Sequence, residues 1–177
     1  MNAVRIRRAG ADDVPFLVAL ATHEDVEPFL GSVAARDAEA VAAEVDRSAA
    51  NPREFGRFVV EIDGHGEWTR AGAMGFEAAS VRHRIAHLER IAIHPDFRGR
   101  RLADEAARLL QRHLLFELGY HRLQLEVYGF NERAIRHAER AGFVREGVKR
   151  KAYWRHERWN DGVMFGLLRE DLEDAYS

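Results

Sequence analysis

Strict alternation of apolar and polar residues marks two predicted strands. Residues 4–7 and 122–127 alternate one by one, which is the period of a strand with one buried face. Between these runs, β-branched and aromatic residues predict three further strands, at 58–62, 68–78 and 83–94. Two final strands are predicted at 143–153 and 162–168.

Apolar residues spaced three and four apart predict helices in the intervals between the strands. Four such segments occur, at 12–21, 36–49, 100–118 and 131–141. The resulting order, β-α-α-β-β-β-α-β-α-β-β, predicts a mixed α/β domain around one sheet. The third helix joins two strands as a right-handed βαβ crossover, so those strands are expected to be parallel.

Composition excludes several classes of protein. The 177 residues favour one domain spanning 1–177. With 27 Lys and Arg against 29 Asp and Glu, the net charge of -2 argues against a dedicated nucleic-acid binder. The absence of cysteine excludes disulfides and a thiol nucleophile, and the histidines show no metal-ligand spacing. No apolar run reaches the roughly 18 residues of a membrane span, and no apolar leader follows Met1, so we expect a cytoplasmic protein without a membrane partner.

A basic, glycine-containing loop between a predicted strand and a predicted helix is the most informative segment. The strand ends at His94-Pro95, and the helix opens directly after residues 98–101, Arg-Gly-Arg-Arg. The first N–H groups of a helix lack intrahelical partners and lie at the positive end of its dipole, which suits phosphate. The loop therefore predicts a phosphate site, although an exposed charged connection has a similar composition.

A second element, residues 131–143, opens a helix with Asn and closes it with Gly-Phe. Together the two elements resemble the Gcn5-related N-acetyltransferase (GNAT) superfamily, whose acyl-CoA signature Arg/Gln-x-x-Gly-x-Gly/Ala is matched by residues 98–103. The later family pattern, Asn-x-x-Ala-x-x-x-Tyr-Glu-x-x-Gly-Phe, is matched by residues 131–143. The resemblance runs from Val4 to about Asp171 and is nearest to the bacterial branch that contains ribosomal-protein N-terminal acetyltransferases.

This resemblance implies transfer of an acetyl group from acetyl-CoA to a primary amine, on a small molecule or a protein N-terminus. The residues that it assigns to cofactor binding lie at the strand end, in the loop and at the next helix start: Ile91, Ala92, Ile93, Arg98, Gly99, Arg100, Arg101, Leu102, Ala103 and Asn131. A plain helix N-cap is the alternative role for Asn131. Because the chain cannot form an acyl-cysteine, we expect direct transfer in a ternary complex.

Two positions depart from the family pattern. The usual glycine at the fourth signature position is Arg101, which could alter the grip on a diphosphate. The usual tyrosine, often the acid toward the departing thiolate, is Ala138, which cannot donate a proton. Tyr128, His137 and Tyr153 are the candidates for that role, but an exposed helical position is the simpler interpretation of His137.

Candidates for the base that deprotonates the amine lie on the strand before the loop. Alternation places His87, Glu89, Ile91 and Ile93 on one face, unless a bulge shifts the phase. Related enzymes carry base residues at this depth, so Glu89 is the first catalytic candidate and His87 the second. A salt bridge between Glu89 and an arginine is the structural alternative.

Substrate selection is expected in segments 23–32 and 153–161, where four aromatic residues could line an acceptor pocket: Phe29, Tyr153, Trp154 and Trp159. A non-catalytic acyl-CoA-binding or regulatory domain is the competing function, favoured by Arg101 and Ala138. A tRNA-directed acetylating toxin is disfavoured by the near-neutral charge. Available edge strands, and dimers in the resembling branch, suggest a homodimer.

Overall fold

The computed structural model describes residues 3–31, 34–64 and 66–175, with side chains described to residue 172. Ser32, at the end of one predicted substrate segment, and His65, in a predicted turn, lie outside the described residues. One seven-stranded sheet has the order β1-β2-β3-β4-β5-β7-β6. Its strands are β1 (Val4–Arg8), β2 (Phe55–Asp63), β3 (Trp68–Ser80), β4 (Ile85–Ile93), β5 (Arg122–Tyr128), β6 (Val144–Arg155) and β7 (Arg158–Leu168).

Helices cover both faces of this sheet. They are α1 (Val14–Thr22), α2 (Ala38–Ala50), α3 (Leu102–Arg112), α4 (Glu132–Arg140) and α5 (Arg169–Ala175). The predicted element order is confirmed, and α5 is an addition that its charged sequence did not reveal. The third helix is shorter than expected, because its last turn, His113–Glu117, is π-helical.

Two apolar layers form on opposite faces of the sheet. Val59 points toward α1 and α2, whereas its neighbours Phe58 and Val60 point toward α3 and α4, as the period of a strand requires. The larger layer contains Leu110 and Leu114, which are fully buried. The sheet therefore separates the molecule into an α1/α2 side and an α3/α4 side.

The sheet is split between its two parallel strands. β4 and β5 pair through only three residue pairs, Ile85 with Arg122, Ala86 with Leu123 and His87 with Gln124. Every other neighbouring pair of strands is antiparallel. Beyond His87 the ladder stops, although β4 continues to Ile93 and β5 to Tyr128. This gap connects the two sides of the sheet.

A bulge in β4 lies beside the gap and corrects the predicted strand faces. Gly75 pairs with Glu89 but Ala73 pairs with Ala92, so β4 contains one extra residue there. Arg90 has φ +56, a left-handed conformation. Ile91 and Ile93 consequently pack on the α3/α4 layer, and Ala92 packs on the α1/α2 layer. The prediction that Ile91 and Ile93 share a face with His87 and Glu89 was therefore wrong.

Candidate active site

A donor cavity of about 490 Å³ lies at the end of β4, between the starts of α3 and α4. Nine of the ten residues predicted to bind the cofactor line it: Ile91, Ala92, Ile93, Arg98, Gly99, Arg101, Leu102, Ala103 and Asn131. The exception is Arg100, which does not line this cavity and whose guanidinium lies 5.8 Å from the Phe97 ring centroid. The cofactor role of each residue remains a prediction.

The backbone of the loop explains how an arginine replaces the expected glycine. Arg101 precedes α3 with φ +57 and ψ +18, and Gly99 has φ +79. Both are left-handed conformations that glycine adopts easily and arginine adopts at a cost. Arg101 thus supplies the same backbone turn that a glycine would supply.

The start of α3 presents amide donors to this cavity. The amides of Asp104 and Glu105 donate to the Arg101 carbonyl, at 3.1 and 3.2 Å. The amides of Leu102 and Ala103 precede this ladder, and both residues line the cavity. Amides at a helix start suit a phosphate group, so the residues present fit the diphosphate of acetyl-CoA.

Arginines add positive charge to the donor cavity, but not in the way that the loop sequence suggests. Arg98 turns back toward the protein and donates to the carbonyls of Ile93 at 3.3 Å and Asp25 at 2.9 Å. Burial, followed by the nearby Arg133, lowers the pKa of Arg98. Arg133 and Arg140 of α4 also line the cavity. Sequence reasoning missed both, although seven-residue spacing places them on one side of a helix.

Asn131 has the capping role that was its alternative interpretation. It is the N-cap of α4, and its Oδ1 accepts a hydrogen bond from the Ala134 amide at 3.1 Å. Its side-chain NH₂ group remains available for a ligand, because an asparagine amide has two separate polar atoms. Asn131 is buried and lines the cavity, so both roles fit one side chain.

An acceptor cavity of about 400 Å³ lies in the gap between β4 and β5. His87 and Glu89 line it from β4, and Glu126 and Tyr128 line it from β5. Tyr153 of β6 also lines it and donates a hydrogen bond from its hydroxyl to Glu126 Oε1 at 2.6 Å. Glu126 was missed at the sequence level. The alternation of β5 and its pairing beside β4 were the signals that could have found it.

Glu89 and His87 lie on the same side of β4, as expected. Glu89 forms an ion pair with Arg90, which also pairs with Glu44 of α2 at 2.7 Å. The structural alternative for Glu89, an arginine partner, is therefore present together with its position in the cavity. Burial raises the pKa of Glu89 despite the positive charge of Arg90. Burial also lowers the pKa of His87, which favours the neutral imidazole.

The aromatic residues expected to select the substrate divide into two groups. Phe29 and Tyr153 line the acceptor cavity. Trp154 and Trp159 line neither cavity, and they pack edge to face on the β6–β7 hairpin, each 59% exposed. The prediction for the two tryptophans was therefore wrong. Alternation along a strand explains this, since Tyr153 and Trp154 point to opposite faces.

The hairpin turn nevertheless contacts the acceptor cavity's border. Arg155 Nη2 donates to the Glu27 carbonyl and to its carboxylate, both at 2.8 Å. This contact fixes the hairpin against the segment that carries Phe29. Arg155 is therefore held by the protein and is not a freely solvated residue of the turn.

His137 is neither exposed nor isolated. Its side chain is 15% exposed, and its Nδ1 lies 2.7 Å from Asp104 Oδ1 of α3. The predicted exposed helical position was therefore wrong. Ala138 is 2% exposed and lines the acceptor cavity, so no proton donor replaces the usual tyrosine at that position itself.

The described residues contain neither a metal-binding cluster nor a membrane-spanning helix. No group of three or more His, Asp or Glu side chains among them is arranged to hold a metal ion. None of the helices in the described ranges is long and apolar enough to cross a membrane.

The donor and acceptor cavities share six lining residues: Phe29, Leu30, Ile91, Asn131, Ala134 and His137. A cavity whose helix start suits phosphate thus meets a second, carboxylate-lined cavity through the split sheet. This arrangement fits the class of enzymes that pass an acyl group from a thioester donor to an acceptor.

Comparison with known families agrees with this class. The acetyltransferase (GNAT) domain family matches residues 3–144. The chain therefore belongs to the GNAT acetyltransferase family, and it is an N-acetyltransferase that uses acetyl-CoA as its cosubstrate.

Individual relatives extend the comparison. The SPbeta prophage-derived uncharacterized N-acetyltransferase YokL of Bacillus subtilis (strain 168) is 35% identical over 83 residues, and the match spans 47% of each chain. Spermidine N-acetyltransferase from Vibrio cholerae, solved in complex with CoA and spermine, is 20% identical, with TM-score 0.83 over 95% of this chain and 96% of that one. A dodecameric structure of that enzyme gives TM-score 0.82 at 19% identity, covering 98% of both chains. At this identity the likeness concerns the fold.

Proposed function

We propose that this enzyme acetylates a small-molecule primary amine directly, while acetyl-CoA and the amine are bound together. The observation that carries the proposal is the continuity of the two cavities, which meet at six shared residues. An amine in the gap would approach an acyl group held at the end of β4. Proximity of this kind replaces a bimolecular encounter and lowers the barrier.

On the donor side, the chain's own groups bind and orient the cosubstrate. The amides of Leu102 and Ala103 would hold the diphosphate at the start of α3. Arg133 and Arg140 would add positive charge along the same cavity. The backbone beyond the β4 bulge at Arg90 would pair with the pantetheine arm as an added strand does.

On the acceptor side, Glu89 is the base that removes a proton from the incoming ammonium. Its pKa is raised by burial, which moves this carboxylate toward the pKa that serves a base near neutral pH. The positive charge of Arg90 opposes this effect of burial, because it favours the ionised carboxylate. His87, two residues away in the same cavity, is the second candidate or a relay to solvent.

Glu126 and the aromatic side chains around it recognise the amine before the reaction. Glu126 Oε2 already accepts an ammonium group, that of Lys149, at 2.6 Å. Tyr128 and Tyr153 pack edge to face with ring centroids 5.4 Å apart beside this carboxylate. A carboxylate beside aromatic faces attracts a cationic amine. The Lys149 ammonium therefore occupies the position that a second ammonium of the acceptor would take.

Two alternatives to this proposal must be distinguished by experiment, one for the acceptor and one for the activity. A protein N-terminus, suggested by the resemblance to the ribosomal-protein branch, has an easier proton to remove, with a pKa of about 7.7–8.0 against roughly 10.4 for a lysine-type amine. A non-catalytic binding domain would retain the donor cavity, and Glu89 would not act as a base.

The test combines binding with product analysis. Calorimetry with acetyl-CoA should show saturable binding, and mass spectrometry of a panel of diamines, amino acids and N-terminal peptides should show acetylated products. Acetylation of peptides alone would overturn the small-molecule assignment. Binding without acetylation of any amine would support the binding domain instead.

The assembly state is a separate part of the proposal. β6 is an edge strand that carries exposed Val144 and Val148, and the hairpin beside it exposes Trp154 and Trp159. We expect a homodimer, and light scattering on the purified protein gives its mass. A monomeric mass at micromolar concentration would contradict this expectation.

A further inference from the structure

Of the described side chains that line both cavities, one is an imidazole, which can carry and release a proton. Of the six shared lining residues, four are apolar and Asn131 does not titrate. The sixth is His137. Since the acyl donor meets the amine at the junction of the two cavities, the departing sulfur must lie close to it. Among the side chains that the structure describes, His137 is therefore the proton donor that the junction offers, and water is the alternative.

A carboxylate holds this imidazole in one tautomer. Asp104 is mostly buried and lies 2.7 Å from His137 Nδ1. Burial alone would raise the pKa of Asp104, but Arg140 and His137 together hold it below its ordinary value. An ionised carboxylate only accepts hydrogen bonds, so Nδ1 carries a proton and Nε2 is the nitrogen that can exchange one with a ligand.

Other charged groups surround the pair of His137 and Asp104. Asp104 and Arg140 contact each other at 3.2 Å, so the carboxylate is shared between a permanent cation and the imidazole. Further charged or titratable groups face the two cavities from the surrounding elements: Arg98, Arg101, Arg133, His87, Glu89, Arg90, Glu126, Tyr128 and Tyr153. Tyr153 is a poor competitor as an acid, because burial and its hydrogen bond to Glu126 raise its pKa to about 12.

We propose that His137, oriented by Asp104, is the proton donor to the departing thiolate. This inference rests on the proposed amine acetylation. His137 Nε2 gives its proton to sulfur as the carbon–sulfur bond breaks, and the electron pair of that bond stays on sulfur. The carbon–nitrogen bond forms in the same reaction. The acceptor ammonium loses two protons, the first to Glu89 before it attacks and the second to solvent as the amide forms, and Glu89 then releases its proton to solvent. His137 regains a proton from solvent before the next turnover.

Steady-state kinetics of His137→Gln give the first test. A thiol such as that of cysteine has a pKa of about 8.5, so its thiolate is a moderately good leaving group. The loss of kcat should therefore lie at or below the lower end of the roughly 100- to 10,000-fold that acid catalysis typically contributes. We expect kcat to fall about 10- to 100-fold, with the acetyl-CoA Kd changed less than about threefold. The fall of kcat that a catalytic acid produces at high pH should be absent in His137→Gln. In Asp104→Asn, the same fall of kcat should occur at lower pH.

The matched control is His113→Gln. His113 forms a similar pair with Glu117 at 2.6 Å, but it lines neither cavity. Its kcat and pH profile should equal those of the wild type. An unchanged kcat and an unchanged high-pH limb in His137→Gln would overturn the proposal while leaving amine acetylation intact. Absence of acetylation by the wild type would overturn both.

A readout independent of turnover is the ring tautomer, measured by ¹⁵N NMR. The His137 signals are those that vanish in His137→Gln. We expect the Nδ1-protonated tautomer in the wild type at high pH and loss of this preference in Asp104→Asn. The Nε2-protonated tautomer in the wild type would contradict the proposal, because Nδ1 would then donate no hydrogen bond to Asp104 and Asp104 would not orient the ring.

Discussion

The donor and acceptor cavities have similar volumes but are built on different principles. The donor cavity is formed largely by one continuous segment, residues 91–104, and uses backbone amides and a helix start. The acceptor cavity collects side chains from β4, β5, α4 and β6, together with the segment at Phe29. In the proposed function, one cavity would bind a fixed cosubstrate through the backbone, and the other would recognise the amine through side chains.

This difference explains why acceptor groups are already paired with one another. Glu126 holds Tyr153 and Lys149, and Glu89 holds Arg90. In the donor cavity, by contrast, the amides of Leu102 and Ala103 precede the helical ladder. Substitutions should therefore separate the two cavities, with donor changes affecting the acetyl-CoA Kd and acceptor changes affecting kcat or the amine KM.

The largest effect should follow from Glu89→Gln, which removes the base. We expect kcat to fall about 100-fold or more, because general-base catalysis typically contributes 10²- to 10⁴-fold. A carboxylate acts as a base only above its pKa, and burial raises the pKa of Glu89. The kcat of the wild type should therefore rise with pH, and this rise should be weaker in Glu89→Gln. Acetyl-CoA affinity from calorimetry should not change. Glu139→Gln, on the exposed side of α4, is the control. Equal turnover of Glu89→Gln and the wild type across the pH range would exclude Glu89 as the base.

Glu126→Gln should have an intermediate effect that is confined to the acceptor. Loss of one carboxylate that faces a cationic amine should raise the amine KM about tenfold, since a charged hydrogen bond is worth about 1.5–3 kcal/mol. Tyr153→Phe, which keeps the ring but loses the hydroxyl, should raise it less. Initial rates at saturating acetyl-CoA measure both. A changed acetyl-CoA Kd in Glu126→Gln would break the separation between the cavities.

A smaller effect is expected on the donor side, from Arg101→Gly and Arg101→Ala. Both remove a cation from the cavity and should weaken acetyl-CoA binding about fivefold, as loss of a single charge-assisted contact does. Their stabilities should differ, because alanine at φ +57 has a strain that glycine lacks. Denaturant unfolding should place the alanine variant about 1 kcal/mol below the glycine variant. Equal stabilities would contradict a left-handed backbone at Arg101.

The smallest effect should be that of Trp154→Ala. The side chain lines neither cavity, so kcat and both substrate constants should stay within about twofold, the change expected of a surface substitution of roughly ±0.5 kcal/mol. Steady-state kinetics at saturating and limiting amine concentrations measure kcat and these constants. A tenfold rise in the amine KM would show that the hairpin contributes to the acceptor cavity after all.

The sequence predicted the donor side better than the acceptor side, for a physical reason. A phosphate-binding loop is local, so the residues from Arg98 to Ala103 are neighbours in the chain, and one turn brings five of these six to the cavity. Arg100 is the exception and does not line the cavity. The order of strands and helices along the chain was likewise predictable from local periodicity.

The acceptor side depends on long-range contacts that local patterns do not contain. The left-handed conformation of Arg90 shifts the face of every later residue in β4, and no glycine marks this bulge. His137 was expected to be exposed, because only the packing of α4 against α3 brings Asp104 to it. Glu126 needed the pairing of β5 beside β4 before its position could be recognised.

In the proposed reaction both substrates occupy one continuous gap, so the acetyl group passes directly to the amine. Initial rates measured with acetyl-CoA and the amine both varied are the decisive test. Double-reciprocal lines should intersect, as a ternary complex requires. Parallel lines, the signature of an acetylated enzyme intermediate, would contradict it.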